Sequence, residues 1–265
     1  VTSMPFQTIR LECDARGVAT LTLARTDKHN SLDAQMIAEL AEVARQIAAD
    51  AAIRVVVLTG AGESFCAGGD LGWMRQQMEA DRTTRIAEAL TLARMLKALN
   101  DLPKPLIGRI NGQAYGGGIG MISVCDASVA AEGAKFGLTE VRLGLIPATI
   151  SPYVVARLTP PRAREVFFSG RIFDAAEALR IGLVTRAVAP EGLDAAVEAE
   201  VAPYLSAAPG AVAASKALVR RFSPPIGEAE LEATAKALAD QWETSEADEG
   251  ISAFFARRAP GWRPA

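Results

Sequence analysis

Two stretches decide how this chain reads: VVVLTGAGESFCAGGDL at 55–71 and LIGRINGQAYGGGIG at 106–120. In each, a short apolar run leads into glycines. Ile53 to Thr59 is rich in β-branched residues and is closed by Gly60-Ala61-Gly62, which predicts a buried strand; Leu106 to Ile110 predicts a second. Glycines shortly after a strand let the backbone turn without a Cβ clash and approach a ligand closely. If a helix starts at each turn, its free N–H groups and its dipole point at one region. Two such donors aimed at one oxygen would form an oxyanion hole. Tight loops that serve only helix–sheet packing give the same pattern, so spacing alone leaves both readings open.

Working outward, the same alternation of elements continues. Residues 6–12 and 18–24 alternate apolar and polar around Arg16-Gly17, as in a hairpin. Met36, Ile37, Leu40, Val43, Ala44 and Ile47 recur at helical spacing behind a cap at Ser31 or Asp33. A helical stripe over 83–99 ends at Pro103 and Pro105. After the second glycine turn a small-residue helix and a strand near Ala127 to Ala131 are expected. Strands alternating with helices argue for crossover units and a mostly parallel sheet. Asp174 and Glu177 fit a capping box, with Gly182 as the stop of that helix. From residue 192 the signals are almost wholly helical, near 193–205, 210–221, 227–243 and 247–257. The expected division is an α/β core over 1–191 and a helical region over 192–265.

Composition narrows the function. Half of the 265 residues are hydrophobic and 22% are charged, which suits a globular chain with a sizeable core. A net charge of −3 disfavours nucleic acid or an anionic membrane as the main partner. No uncharged apolar stretch reaches the length of a membrane span. The opening VTSMPFQTIRLE has neither a basic start nor an apolar core, so no secretory leader is expected. Cys13, Cys66 and Cys125 have no metal-like spacing and read as reduced thiols, which points to the cytoplasm. The single histidine, His29, builds no histidine-rich metal site and leaves only itself as base for a serine or cysteine nucleophile. No metal is expected. VVVLTGAG opens like a dinucleotide fingerprint, but Phe65 stands where the third glycine belongs, and no phosphate-loop lysine motif is present.

FCAGGDL followed by Trp73 and Met74, then INGQAYGGGIG, then CDASVAAEGAKFGLTEVRLGLIP, resemble in order and spacing the signature of the enoyl-CoA hydratase/isomerase (crotonase) family. GRIFDAAEALRIGLV at 170–184 and EGISAFFARRAPGW at 249–262 extend the resemblance over nearly the whole chain. It implies a spiral of ββα units, a helical C-terminal region that trimerises, and coenzyme A carried as part of the substrate rather than as a bound cofactor. It also implies a thioester carbonyl polarised by two main-chain amides, which fall here on Gly69 and Gly117. The expected assembly is a homotrimer or a dimer of trimers.

Hydratases of that family use two glutamates. The later position is Glu140; the earlier one is Gly120, which has no side chain. Glu140 is therefore the leading catalytic acid–base, with a surface pairing to Arg142 as the competing assignment. Glu63, Glu79 and Asp126 are the other acids to weigh, Asp126 as a structural residue. Single-carboxylate chemistry is possible because one group can act as base and then as acid. Gly120 and the segment IPATISPYVV at 146–155 resemble a bacterial subgroup related to methylglutaconyl-CoA hydratases of leucine breakdown. The expected substrate is then a branched or carboxylated 2-enoyl-CoA, with Gly120 making room and Trp73, Thr149, Ser151 and Arg75 near the acyl chain. Ser151 also suits a helix cap ahead of Pro152. For coenzyme A, the resemblance points to Lys28, Ala67, Asp70 and Leu71, with Arg257 or Arg258 near a phosphate; Asp70 also suits a helix cap. The competing functions are an isomerase sharing Glu140, and a noncatalytic thioester- or RNA-binding protein.

Overall fold

The computed structural model describes residues 6–264, so the first five positions of the N-terminal stretch lie outside it. In chain order the elements are β1 (Ile9–Cys13), β2 (Val18–Leu23), α1 (Ala34–Ala49), β3 (Val55–Gly60), β4 (Ser64–Cys66), α2 (Leu71–Glu79) and α3 (Arg82–Asn100). Then come β5 (Leu106–Ile110), β6 (Gln113–Tyr115), α4 (Gly117–Ser123), β7 (Ala127–Ala131), β8 (Lys135–Gly137) and α5 (Ser151–Phe167). The chain continues through β9 (Ile172–Asp174), α6 (Ala175–Ile181), β10 (Arg186–Val188), α7 (Leu193–Ser206), α8 (Pro209–Arg221), α9 (Glu228–Trp242) and α10 (Ser245–Phe255).

The strands fall into two sheets. The larger has the order β1-β2-β3-β5-β7-β10, and the smaller β4-β6-β8-β9. Only β1 in the first and β9 in the second run antiparallel to their neighbours. The chain hops between the sheets in repeating pairs: β3 to β4, β5 to β6, β7 to β8. Each pair leaves one strand in each layer and hands the chain to a helical segment. This is the spiral of ββα units.

The β3 sequence explains its position. All six residues are buried, and strand geometry sends successive side chains to opposite faces. Val56 and Leu58 join the main core with Met36, Leu40, Val43 and Ile47 of α1. Val55 and Val57 face the other way, onto Leu193, Val197 and Val201 of α7. A strand covered on both faces needs the unbroken apolar run that the sequence has. Asp33, not Ser31, caps α1 by accepting from the Met36 amide at 2.8 Å. Asp174 caps α6 through the Glu177 amide, and Gly182 ends that helix at φ 86°.

The C-terminal helices return to the core. α10 packs on the turn after β8 so closely that a Cβ on Gly144 would lie 2.3 Å from the Glu246 carbonyl oxygen, and one on Gly250 would lie 2.5 Å from that of Leu143. Gln241 of α9 donates to the Gly144 carbonyl at 2.8 Å. Among the described residues no helix is long and apolar enough to cross a membrane.

Candidate active site

The smaller sheet places the site. β4, β6 and β8 are adjacent and parallel, so their C-terminal ends emerge side by side. The chain leaves these ends as Ala67-Gly68-Gly69, Gly116-Gly117 and Thr139-Glu140. All seven residues line one cavity of about 540 Å³. Ligand sites in open α/β sheets form at such carboxyl ends for the same reason: turns from neighbouring strands converge there.

Gly69 is aimed by the segment ahead of α1. Leu32 donates to the Gly68 carbonyl at 2.7 Å and accepts from the Asp70 amide at 2.9 Å. This parallel bridge uses the groups on either side of Gly69 and directs the N–H of Gly69 away from Leu32. One guanidinium holds the arrangement: Arg25 pairs with Asp33 and with Asp70, each at 3.0 Å. Asp70 also caps α2, accepting from Gly72 at 2.7 Å and Trp73 at 3.3 Å. Burial opposes its ionisation, but Arg25 and these two amides hold its carboxyl below the ordinary carboxylate range. The Asp70 side chain is thus committed to structure and does not line the cavity, whereas Ala67 and Leu71 do.

Gly117 is the first residue of α4, so its N–H has no acceptor within the helix. The turn before it requires glycine. Gly116 has φ 47° and ψ −113°, and a Cβ there would lie 2.9 Å from Glu140 Oε1. That contact fixes the relation of the two site elements: the Glu140 carboxylate is packed against the backbone that presents the Gly117 amide.

Glu140 begins a short 3-10 turn, Glu140–Leu143. Its Oε2 is sealed from solvent and has no hydrogen-bond partner, and among the described residues it forms no salt bridge. The pairing with Arg142 does not occur; Arg142 lines the cavity on its own account. Burial among apolar groups pushes the Glu140 carboxyl up to about 7, against a small opposing pull from its own amide. A carboxyl poised near neutrality, unpartnered and facing a cavity, has the character of a general acid–base.

The rest of the lining is mostly apolar. Trp73 and Met74 come from α2, Leu92 from α3, Leu145 and Ile150 from the segment ahead of α5, and Leu238 and Trp242 from α9. Thr149 lines the cavity and is buried. The structure corrects the expectations for Gly120 and Ser151. Gly120 does not open onto the cavity: it is buried in α4, and Ile150 Cγ2 lies 2.5 Å from where its Cβ would stand. The room left by the missing side chain is filled by Ile150. Ser151 does not line the cavity or cap α5, because its hydroxyl turns back to donate to the Ala148 carbonyl at 2.7 Å.

The remaining candidates take other places. Glu63 and Glu79 lie outside the lining. Asp126 is structural, accepting from the Leu106 amide at 2.8 Å and pairing with Lys216 at 2.6 Å. His29 Nδ1 is 3.0 Å from Ser64 Oγ, but Ser64 is buried on β4, bonded also by Gln113, and does not reach the cavity. Burial pushes the Cys66 and Cys125 thiols up to about 12, which makes both inert. Lys28 is exposed on the 3-10 turn Thr26–Lys28, outside the cavity. Arg258 is held by Glu249. Arg257 and Arg75 instead share a second recess with Leu71, Gly72, Phe254 and Phe255, next to the cavity through Leu71 and Phe254. Arg75 lies 4.4 Å above the Phe255 ring. Ile150 lies in the segment 146–155 without being singled out there, and Leu32 and the α9 residues Leu238 and Trp242 are site residues with no mark of their own; each is an ordinary apolar residue until the fold brings it to the cavity.

Comparison with known proteins agrees with this geometry. The family model described as enoyl-CoA hydratase/isomerase matches residues 14–264. The chain is similar to (E)-benzylidenesuccinyl-CoA hydratase of Thauera aromatica, 36% identical over 94% of this chain and 96% of that one. It is 34% identical to mevalonyl-coenzyme A hydratase of Aspergillus fumigatus, over 93% of this chain and 92% of that protein. The crystal structure of an enoyl-CoA hydratase from Shewanella pealeana superposes with a TM-score of 0.80 at 35% identity, covering 97% of this chain and 96% of that one.

Proposed function

Because the chain belongs to the enoyl-CoA hydratase/isomerase family, we propose that its cavity hydrates a 2-enoyl-CoA thioester with Glu140 as the only catalytic carboxylate. The observation that carries this reading is the Glu140 carboxylate at the cavity, its Oε2 without a partner and its Oε1 packed against Gly116 beside the Gly117 amide. In this scheme the thioester oxygen accepts from the Gly69 and Gly117 N–H groups. Ionised Glu140 takes a proton from water as the water oxygen bonds to Cβ. The electron pair of the double bond moves toward the thioester, and the oxygen carries the enolate charge. The two amides stabilise that charge without reorganising. Glu140, now protonated, delivers its proton to Cα. One water is added, and the carboxylate is restored.

Family membership leaves the acyl group open, since the names of two relatives already specify different acyl chains. The lining argues for an acyl chain of mainly apolar character, with Tyr115, Thr139 and Thr149 as the hydroxyl residues along it. A methylglutaconyl-type substrate would need a cation for its distal carboxylate. Among the described residues Arg142 is the one cationic side chain in the lining, and it replaces Arg75 and Ser151 as the residue to test for that role. Arg257 and Arg75 in the adjoining recess suit the phosphates of coenzyme A. We assign the C-terminal helices to assembly as well, because Leu218 and Val219 of α8 and Phe222 just beyond it are exposed at 55%, 68% and 81%; a trimer or a dimer of trimers would cover such a stripe.

The lone carboxylate also favours one second reading, double-bond isomerisation, which needs only a base that returns its proton to another carbon. Incubation with a 2-enoyl-CoA and with a 3-enoyl-CoA, followed by mass analysis, separates the two. Hydration adds the mass of one water to the 2-enoyl ester. An unchanged mass with a migrated double bond would replace the hydratase reading by the isomerase.

A further inference from the structure

The acyl-facing wall built by α2 depends on a polar clip outside the cavity. α2 is short, yet beyond Leu71 at its start it supplies Trp73 and Met74 to the lining. Its attachment to α3 is made by two α3 side chains one turn apart. Glu88 Oε2 accepts from Trp73 Nε1 and from Gln77 Nε2, each at 2.5 Å. Arg85 donates to the Gln77 carbonyl at 2.9 Å and the Met78 carbonyl at 3.1 Å, closing the C-terminal end of α2. Gln77 is only 1% exposed, so its amide has no ready alternative in water. Arg85 also lies 5.7 Å from the ring centroid of Trp242. Both cavity-lining tryptophans are therefore braced from one helix.

The indole of Trp73 stands against the Gly69 turn. A Cβ on Gly69 would lie 3.7 Å from Trp73 Cε3 and Cζ3, ordinary van der Waals contact. Asp70 fixes the backbone end of Trp73 as the α2 cap, and Glu88 fixes the far end of its ring. A tryptophan tethered at both ends is a rigid plate, and the acyl chain of a thioester seated at Gly69 must run along it.

We propose that Glu88 is a positioning residue for acyl-chain recognition: by locking the Trp73 indole it shapes the acyl side of the cavity and leaves the coenzyme A side untouched. The inference rests on the acyl-CoA reading of the cavity. Glu88 touches no substrate and acts only through Trp73.

The test uses the full chain and two probes, octanoyl-CoA (which has no double bond to hydrate) and free coenzyme A, titrated calorimetrically into wild type, Glu88→Leu, Glu88→Gln, Trp73→Phe and the double variant Trp73→Phe/Glu88→Leu. Glu88→Leu should weaken octanoyl-CoA about tenfold, the scale of losing hydrogen bonds to a charged acceptor, and change free coenzyme A by less than about twofold. Glu88→Gln keeps an acceptor oxygen and should recover most of the loss. In the Trp73→Phe background, which has no indole N–H at this position, Glu88→Leu should add little further loss. Tryptophan emission should shift in Glu88→Leu and not in the double variant relative to Trp73→Phe. Equal losses for both probes, an undiminished Glu88→Leu effect without Trp73, or unchanged emission would overturn the inference. Wild-type protein that binds octanoyl-CoA no better than coenzyme A would instead overturn the acyl-site reading, and the emission comparison would still decide whether Glu88 governs Trp73.

Discussion

Positions 140 and 120 belong to neighbouring walls of the molecule and have met opposite fates. At 140 one carboxylate oxygen is buried without a partner, an arrangement that costs stability and that a purely structural residue would avoid. At 120 there is no side chain, and Ile150 sets an apolar methyl in its place. One wall concentrates the polar chemistry, and the other is packed like a core. The difference teaches that a missing functional group need not leave a hole. Its volume can be reassigned to a neighbour, and the site then becomes apolar where the family pattern is acidic.

The polar wall should be the most sensitive to change. Gly116→Val introduces a β-branched side chain at φ 47° and thrusts it at Glu140 Oε1. It should misdirect the Gly117 amide and displace the carboxylate together, lowering kcat for a 2-enoyl-CoA by ~10²–10³-fold, the typical cost of one oxyanion donor or more. Coenzyme A affinity should change far less. Equal losses in both would show that the turn supports folding and not the reaction.

On the packed wall the effects should appear in stability. Gly120→Glu must displace Ile150 and bury a charge, at a cost of about 3 kcal/mol or more. Ile150→Ala leaves a void beside Gly120 and should cost about 2 kcal/mol, the lower end for a core truncation because one side already faces the cavity. The double variant should be more stable than the sum of these losses implies, since each change makes room for the other. Strict additivity in denaturant unfolding would mean that the two positions do not share a space.

The stability cost at 140 carries a pH signature. Its carboxyl titrates at about 7 when folded, against an ordinary 4.5. Between those values the folded state binds more protons than the unfolded one, so this group makes stability fall as pH rises from 4.5 toward 7 and level off above. Glu140→Gln does not titrate. Relative to its standing at pH 4.5, the variant should gain on wild type by on the order of 3 kcal/mol at pH 8. A stability difference that does not vary with pH would remove the raised carboxyl from the account.

How much of the molecule is legible in the sequence differs between the same two walls. The strands at 53–59 and 106–110, the glycine turns behind them and the helical C-terminal region follow from periodicity and from residues with one dominant backbone use. Glu140, Gly69 and Gly117 stand out because their chemistry is bound to short motifs whose neighbours are near in the chain. Ile150 does not, because its role is to fill the space beside a residue distant in the chain. The same holds for Leu238 and Trp242, which look like helix core until α9 folds over the cavity. Ser151 reads as a cap because serine before proline usually is one; here it is the first residue of the helix itself, and its hydroxyl satisfies Ala148 instead. Asp70 reads both as a cap and as a ligand contact, and Arg25, whose guanidinium joins two helix caps, carries no local signal at all.

The central claim is that one carboxylate, Glu140, performs both proton transfers, and the dependence of kcat/KM on pH for wild type and Glu140→Gln with a 2-enoyl-CoA tests it most directly. Because Glu140 must start ionised in this scheme, wild-type activity should fall on the acid side with an apparent pKa near 7, while Glu140→Gln should lose at least ~10²-fold in turnover and show no such limb. A variant that keeps near-normal turnover, or keeps the same acid limb, would contradict the assignment and place the acid–base chemistry elsewhere in the cavity.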